Sequence, residues 1–344
     1  MNINRPIIAI SMGDPAGIGP EVAVKALSQP HVYEMCRPVV VGKARALAEA
    51  IKIARLNLTL QTIEKISQAA FRSGTIDVLD LKNVDWQEVV FGKISAQAGK
   101  IAFEAVRTVI ELALAKKVEA TVTGPINKEA LHLAGHHFPG HTEIYAHYTN
   151  TSDFAMLLIY GHLRVIHVST HVALRQACEL VKKERILKVI KLLHEACQKL
   201  GIKSPRIGVA GLNPHASDGG LFGAEEKEEI MPAIRQAKSL GLAVEGPFPP
   251  DILFPMAKGG YFDGCVAMYH DQGHIPFKLL GFNWNMVSGS MRSVNGVNIT
   301  TGLPIIRVSV DHGTAFEIAG KGIASADSMI QAIEYAAKLA KIEN

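Results

Sequence analysis

From residue 6 to residue 342, short apolar runs alternate with longer amphipathic stretches, and no other feature constrains the fold as strongly. A short, mostly apolar run reads as a strand buried on both faces. The helix-period stretch that follows returns the chain to begin the next parallel strand. The alternation therefore predicts an α/β chain with a largely parallel sheet. Strand runs are clearest at residues 6–11, 38–41, 120–123, 164–169, 206–210, 264–269 and 305–310, and helical periodicity at 20–28, 96–116, 173–200, 225–240 and 325–342. Within 173–200, Leu180, Ile186, Val189, Ile190 and Leu193 recur at helical spacing, and Gly201 supplies the stop. A chain of 344 residues accommodates two such domains. No linker, repeat or low-complexity tract separates them, so they are expected to be intertwined, with the chain crossing out and back.

Composition excludes several functions. Lys and Arg total 36 against 32 Asp and Glu, and the net +4 is spread without a basic block. That argues against a nucleic-acid surface, while a slight excess of cations suits an anionic small molecule. Aromatic residues are only 6%, too few for base-stacking platforms. No apolar run approaches the ~20 residues that cross a bilayer. The longest candidate, residues 101–120, carries Glu104, Arg107, Glu111, Lys116 and Lys117. The first residues lead into a strand with no signal-peptide apolar region, and Cys36, Cys178, Cys197 and Cys265 form no CxxC pair. The expectation is a reduced, cytoplasmic protein that binds neither nucleic acid nor membrane.

Three strand runs end in the same way: Ser169-Thr170-His171, Asn213-Pro214-His215 and Tyr269-His270-Asp271. In open α/β sheets ligands bind beyond the carboxyl ends of strands. One histidine there is adequately explained by capping a turn. Three placed alike point to a divalent metal held by His171, His215 and His270.

Glycine turns add candidates. Gly13 to Glu21 joins the first strand to a helix; it is neither GxGxxG nor a P-loop, and serves either as an anion site or as a tight βα turn. Lys128 follows Thr123-Gly124-Pro125 at a helix start, where it opposes the helix dipole; it either serves a ligand or is simply solvated. His141 and Thr142 precede a helical stretch, as anion donors or, for Thr142, as a cap. After the last strand, Asp311 to Gly322 is a Gly- and Ala-rich loop suited to a flat ligand or to close packing.

Taken together, these segments resemble the 4-hydroxythreonine-4-phosphate dehydrogenase family over nearly the whole chain. The resemblance rests on Gly13 to Glu21, Thr123-Gly124-Pro125 with Lys128, Gly140-His141-Thr142-Glu143, Gly211 to Ala216, Ala267 to Gly273, Val297 to Thr300 and Asp311 to Ala315. A more distant similarity is to isocitrate and isopropylmalate dehydrogenases. It implies their α/β/α fold, with 1–125 and 300–344 on the cofactor side and 126–299 carrying metal, substrate and dimerisation. It further implies a homodimer, and a zinc, magnesium, manganese or cobalt ion on His171, His215 and His270, one of them drawn from the partner subunit. NAD or NADP would lie on Gly313, Thr314, Ala315 and Gly320. Substrate contacts would fall on His141, Thr142, Lys278, Asn298 and Arg307, the last suited to phosphate or carboxylate oxygens. The implied reaction is an oxidative decarboxylation, with Lys128 or Asp271 as base.

One departure bears on the substrate. Residues 283–296 form an insertion that reads as a hairpin with its tip at Ser288-Gly289-Ser290. With Gly13-Asp14-Pro15 and His274-Ile275-Pro276, it resembles the catabolic branch, which converts 4-phospho-D-threonate or 4-phospho-D-erythronate to dihydroxyacetone phosphate. The biosynthetic branch instead oxidises 4-phosphooxy-L-threonine to 3-amino-2-oxopropyl phosphate for pyridoxal phosphate. Two further readings are an acyl or phosphate transferase and a metal-dependent binding protein for phosphorylated acids.

Overall fold

The first apolar run forms β1 (Ile7–Ser11), and the Gly-Ile-Gly-Pro turn opens α1 (Gly19–Leu27), with Pro20 in its first turn. There follow α2 (Pro30–Met35), β2 (Arg37–Gly42), α3 (Ala44–Ile53), β3 (Thr59–Ile63) and β4 (Thr75–Asp80). Next come α4 (Ala96–Leu114), β5 (Ala120–Thr123), α5 (Lys128–Leu133) and α6 (His141–Tyr148). The chain continues through β6 (Ala155–Tyr160), β7 (Leu163–His167), α7 (Leu174–Glu179), α8 (Lys183–Lys199) and β8 (Ile207–Ala210). After these lie α9 (Met231–Ser239), β9 (Val244–Phe248), α10 (Pro250–Lys258), β10 (Gly264–Ala267) and α11 (His270–Gly281). The last elements are β11 (Phe282–Asn285), β12 (Ser290–Val294), β13 (Val297–Thr301), β14 (Ile306–Val310) and α12 (Asp327–Glu343). The computed structural model describes residues 5–82, 84, 86, 89–286 and 290–343.

The chain forms two units. The first comprises Met1–Thr151, Arg292–Val297 and Leu303–Asn344, and the second Ser152–Met291 with Asn298–Gly302. Residues 126–151, which the sequence reading groups with the metal and dimerisation domain, fall in the first unit. In that unit the strand order is β3-β4-β2-β1-β5-β14, all parallel. Ile8, Ile10 and Val39 to Val41 are fully buried, as helices on both sheet faces require. Gly99, in the first turn of α4, is a packing residue. A Cβ there would lie 2.0 Å from the Ala130 carbonyl oxygen of α5.

In the second unit the order is β13-β6-β7-β10-β8-β9. The β6–β7 pair is antiparallel, joined by a tight turn, while β7, β10, β8 and β9 run parallel. Leu158, Val165, Leu253, Phe262, Cys265 and Phe277 form its core.

Two expected helices differ in detail. The stretch 173–200 is two helices, because the Glu229 carboxylate takes the Lys183 N–H at 2.8 Å and pairs with Lys182 at 2.9 Å. A cap from a distant segment replaces the continuing helical bond. The stretch 225–240 begins with a π turn at Glu226–Ile230. Strands flank the expected hairpin tip, whose Ser288 and Gly289 lie outside the described residues.

Candidate active site

In the second unit β7, β10 and β8 are parallel neighbours, so their carboxyl ends lie at one edge of the sheet. His171 follows β7, His270 opens α11 directly after β10, and His215 lies in the turn after β8. The rings of His171 and His270 are 5.9 Å apart. His270 Nδ1 meets the Asp271 carboxylate at 2.6 Å, which leaves Nε2 to face a ligand. A carboxylate on one imidazole nitrogen is the usual outer partner of a metal-bound histidine. His215 sits in a run of left-handed residues, His215 to Gly219, with φ between 46° and 69°. Among the described residues no three His, Cys, Asp or Glu side chains come together closely enough to hold an ion. The structure therefore brings two of the three histidines together. The donor chemistry fits a divalent cation: two imidazoles at adjacent strand ends, one with its tautomer set by a carboxylate.

Two histidines beside this pair were not among the expected site residues, although His274 belongs to the His274-Ile275-Pro276 motif. His274 lies one helical turn beyond His270, and their rings stack at 3.7 Å. His167 ends β7, is 1% exposed and has its ring 4.8 Å from that of His274. Gly273 makes room for it, since a Cβ there would lie 2.4 Å from His167 Nε2. Burial pushes the pKa of His167 down to about 4 and that of His274 lower still, so both are neutral at physiological pH. The i,i+4 spacing of His270 and His274 was the readable signal for this stack.

Of the expected substrate contacts, Lys278 and Asn298 also lie in the second unit. Lys278 Nζ is 5.1 Å from the centre of the Phe282 ring, and Asn298 Oδ1 is buried without a hydrogen-bond partner among the described residues. His141, Thr142 and Arg307 belong to the first unit. Arg307 on β14 is 2% exposed. Its Nη2 donates to Thr123 Oγ1 at 2.9 Å, and its guanidinium carbon lies 5.7 Å from the centre of the Tyr145 ring. Tyr145 is held in turn by donating to Thr121 Oγ1 at 2.9 Å. Burial pushes the Arg307 pKa down to about 10, leaving it charged at neutral pH. Burial, with Arg307 nearby, holds His141 well below its ordinary value. His141 Nε2 is buried with no hydrogen-bond partner among the described residues, as is Glu143 Oε2. A fixed cation beside an unsatisfied neutral imidazole is a place for an anionic ligand. Thr142 is not a cap: the N-cap of α6 is Gly140, without a side-chain bond.

The first glycine turn is a packing turn. The Asp14 N–H donates to Pro125 O, Ala16 N–H to Asp14 Oδ1, Gly17 N–H to Asp14 O and Ile18 N–H to Thr314 O, at 2.8–3.1 Å. Residues 12–24 are all buried. Amides spent on the turn itself are not offered to an anion. Lys128 opens α5 on the surface, behind an Asn127 side chain that caps Ala130 N at 2.8 Å.

In the expected cofactor loop, Gly313 faces open space, Thr314 O is engaged by Ile18, and Ala315 has φ 43°. Gly320 is covered by Phe91, whose ring atoms lie 3.2–3.3 Å from where a Cβ would stand. Glu21 accepts the N–H groups of Gly322 and Ala324, and Lys25 donates to both carbonyls, which pins the end of the loop to α1.

The profile of the pyridoxal phosphate biosynthetic protein PdxA matches residues 34–336. The chain belongs to the PdxA family. It is 48% identical over 336 residues to the D-threonate 4-phosphate dehydrogenase of Cupriavidus necator, covering 97% of each chain. The crystal structure of a 4-hydroxythreonine-4-phosphate dehydrogenase from Klebsiella pneumoniae superposes with a TM-score of 0.86 at 45% identity, covering 99% of this chain and 100% of that one. A β-decarboxylating dehydrogenase from Thermococcus kodakarensis shares the fold alone, with a TM-score of 0.50 at 13% identity over 96% of this chain and 82% of that one. The PdxA family carries the α/β fold that both the strand pattern and the motifs led us to expect. Among the described residues no helix is long and apolar enough to cross a membrane.

Proposed function

We propose that this PdxA-family protein is a metal-dependent, NAD- or NADP-linked dehydrogenase that oxidises and decarboxylates 4-phospho-D-threonate or 4-phospho-D-erythronate. The observation that carries the proposal is the His171–His270 pair, 5.9 Å apart at neighbouring strand ends with Asp271 on His270 Nδ1. The name of the Cupriavidus necator relative supports the phosphothreonate substrate.

In this reading His171, His215 and His270 hold the cation, and a homodimer completes the set across its interface. Arg307, His141 and Thr142 bind one anionic end of the substrate. Lys278 and Asn298, a cation and an amide, are the substrate-binding residues this reading assigns in the second unit. When bound, the cation supplies Lewis acidity at the substrate hydroxyl and the nicotinamide supplies a hydride acceptor. Gly313, Thr314, Ala315 and Gly320 line the cofactor loop. The group that takes the hydroxyl proton is Lys128 or Asp271 in this reading, Asp271 being bonded already to His270 Nδ1. That proton is balanced by the one taken up at carbon after carbon dioxide leaves. The products are dihydroxyacetone phosphate, carbon dioxide and the reduced cofactor.

A second reading, oxidation of 4-phosphooxy-L-threonine, is favoured by the description of the family and by the Klebsiella pneumoniae structure's name. The two substrates differ at C2, hydroxyl against amine. A site arranged to bond one rejects the other by ~10⁴-fold. The test is formation of NADH or NADPH with each acid, with and without a chelator. A higher kcat/KM for the D-acids, lost on chelation, is expected. The reverse ranking selects the second reading, and full activity without metal refutes both.

A further inference from the structure

The histidine-bearing strand ends are tied to one another by side chains that belong to none of the expected ligands. Gln272, in the first turn of α11, is 7% exposed. Its Oε1 accepts the Met268 N–H at 2.7 Å, and its Nε2 donates to the Gly211 carbonyl at 2.8 Å. Met268 continues β10 two residues before His270, and Gly211 continues β8 four residues before His215. One amide group therefore bridges the end that carries His270 to the end that carries His215. Ser169, two residues before His171, extends the lacing by donating from Oγ to the Met268 carbonyl at 3.1 Å. Beyond Gly211, the buried Glu226 accepts the Leu212 and Asn213 N–H groups, each at 2.8 Å, at the mouth of the left-handed turn.

We propose that Gln272 is a positioning residue for metal binding, holding the His215 and His270 strand ends of one chain whichever subunit's ion each histidine serves, with Ser169 doing the same for His171. The inference rests on the metal reading above. Only an amide supplies both halves of the bridge, since the Met268 N–H needs an acceptor and the Gly211 oxygen needs a donor. Glutamate keeps the acceptor but turns a second oxygen toward the Gly211 carbonyl. Methionine keeps the length and loses both bonds. Supports of this kind typically alter metal affinity by about 10–100-fold when removed.

The test is Mn²⁺ affinity of the full-length, metal-free protein, read from free Mn²⁺ by electron paramagnetic resonance, beside its thermal midpoint. The variants are Gln272→Met, Gln272→Glu and Ser169→Ala. Thr301→Val is the control: it deletes a different buried bond of the same unit, Thr301 Oγ1 to Ala155 O at 3.0 Å. The expected result is Mn²⁺ binding weakened about 10–100-fold in both Gln272 variants, less so in Ser169→Ala, and unchanged in Thr301→Val. If Gln272→Met does not fold, Gln272→Glu and Ser169→Ala decide. Wild-type affinity in the Gln272 variants, or equal weakening in Thr301→Val, overturns the proposal. Wild-type protein that binds no Mn²⁺ overturns the metal reading itself, and this inference with it.

Discussion

Replacing Asp14 by asparagine is expected to stabilise the protein at neutral pH, and to do so much less in acid. The carboxyl is fully buried, Oδ1 accepts the Ala16 N–H at 2.8 Å, and Oδ2 has no hydrogen-bond partner among the described residues. Burial pushes its pKa up from 3.8 to about 6, against the pull of the Ala16 bond. Between those values the unfolded chain has lost the proton and the folded chain keeps it, so stability falls as pH rises through the window. Above about 6 the loss is complete. A difference of about two pKa units, at about 1.36 kcal/mol each, amounts to ~3 kcal/mol near pH 7.5 and ~1 kcal/mol near pH 4.5. Asparagine keeps the acceptor for Ala16 and cannot ionise. Its new amide donor, left where Oδ2 stood, costs ~1 kcal/mol or more, equally at both pH values. The pH-dependent part, ~2 kcal/mol, survives that offset. For a unit of this size it corresponds to roughly 4–8 °C in Tm. Thermal unfolding of both proteins at the two pH values, followed by circular dichroism, measures it. An Asp14→Asn advantage that is constant with pH, or larger in acid, would refute the reasoning.

Arg307→Lys should lower kcat/KM by about 10–100-fold in steady-state assays, because a point ammonium cannot keep both the Thr123 bond and a forked hold on an anion. Mixing His215→Ala with His270→Ala should restore about a quarter of full turnover if the partner supplies His215, since half the dimers would be hybrids with one intact site of two. Mixing His171→Ala with His270→Ala should restore none, because that pair sits within one chain. Gly99→Ala should destabilise by ~1–2 kcal/mol in thermal or chemical unfolding, despite alanine's better helix propensity, because its Cβ would strike Ala130 O.

Legibility from sequence followed burial in part of the first unit, whereas the buried β6 was not among the strands read. Strands such as β1, β2, β5 and β14 are buried on both faces, so their residue types alone marked them. The edge strand β3 exposes Thr59 and Thr62, half-buries Leu60 and Gln61 and buries only Ile63, and left no continuous apolar run to read. The break between α7 and α8 was invisible because it depends on Glu229, over forty residues away. The glycine turn after β1 was legible as a turn, but whether its amides faced a ligand or its own loop depended on Pro125 and Thr314.

The periodic pattern alone determined the α/β class, and the repeated His at strand ends determined which residue types a site has to offer, because both are local properties of spacing. Which histidines actually meet was decided by the tertiary structure. Strand order makes β10 the neighbour of both β7 and β8, and a left-handed turn directs His215 differently from His270. The same applies to Arg307. Its cationic type is plain in the sequence, but its burial between Thr123 and Tyr145, residues over 150 positions away, is something only the fold brings about. Local spacing constrains what a segment can become. Long-range packing removes water from particular groups, and that desolvation turns ordinary side chains into a site.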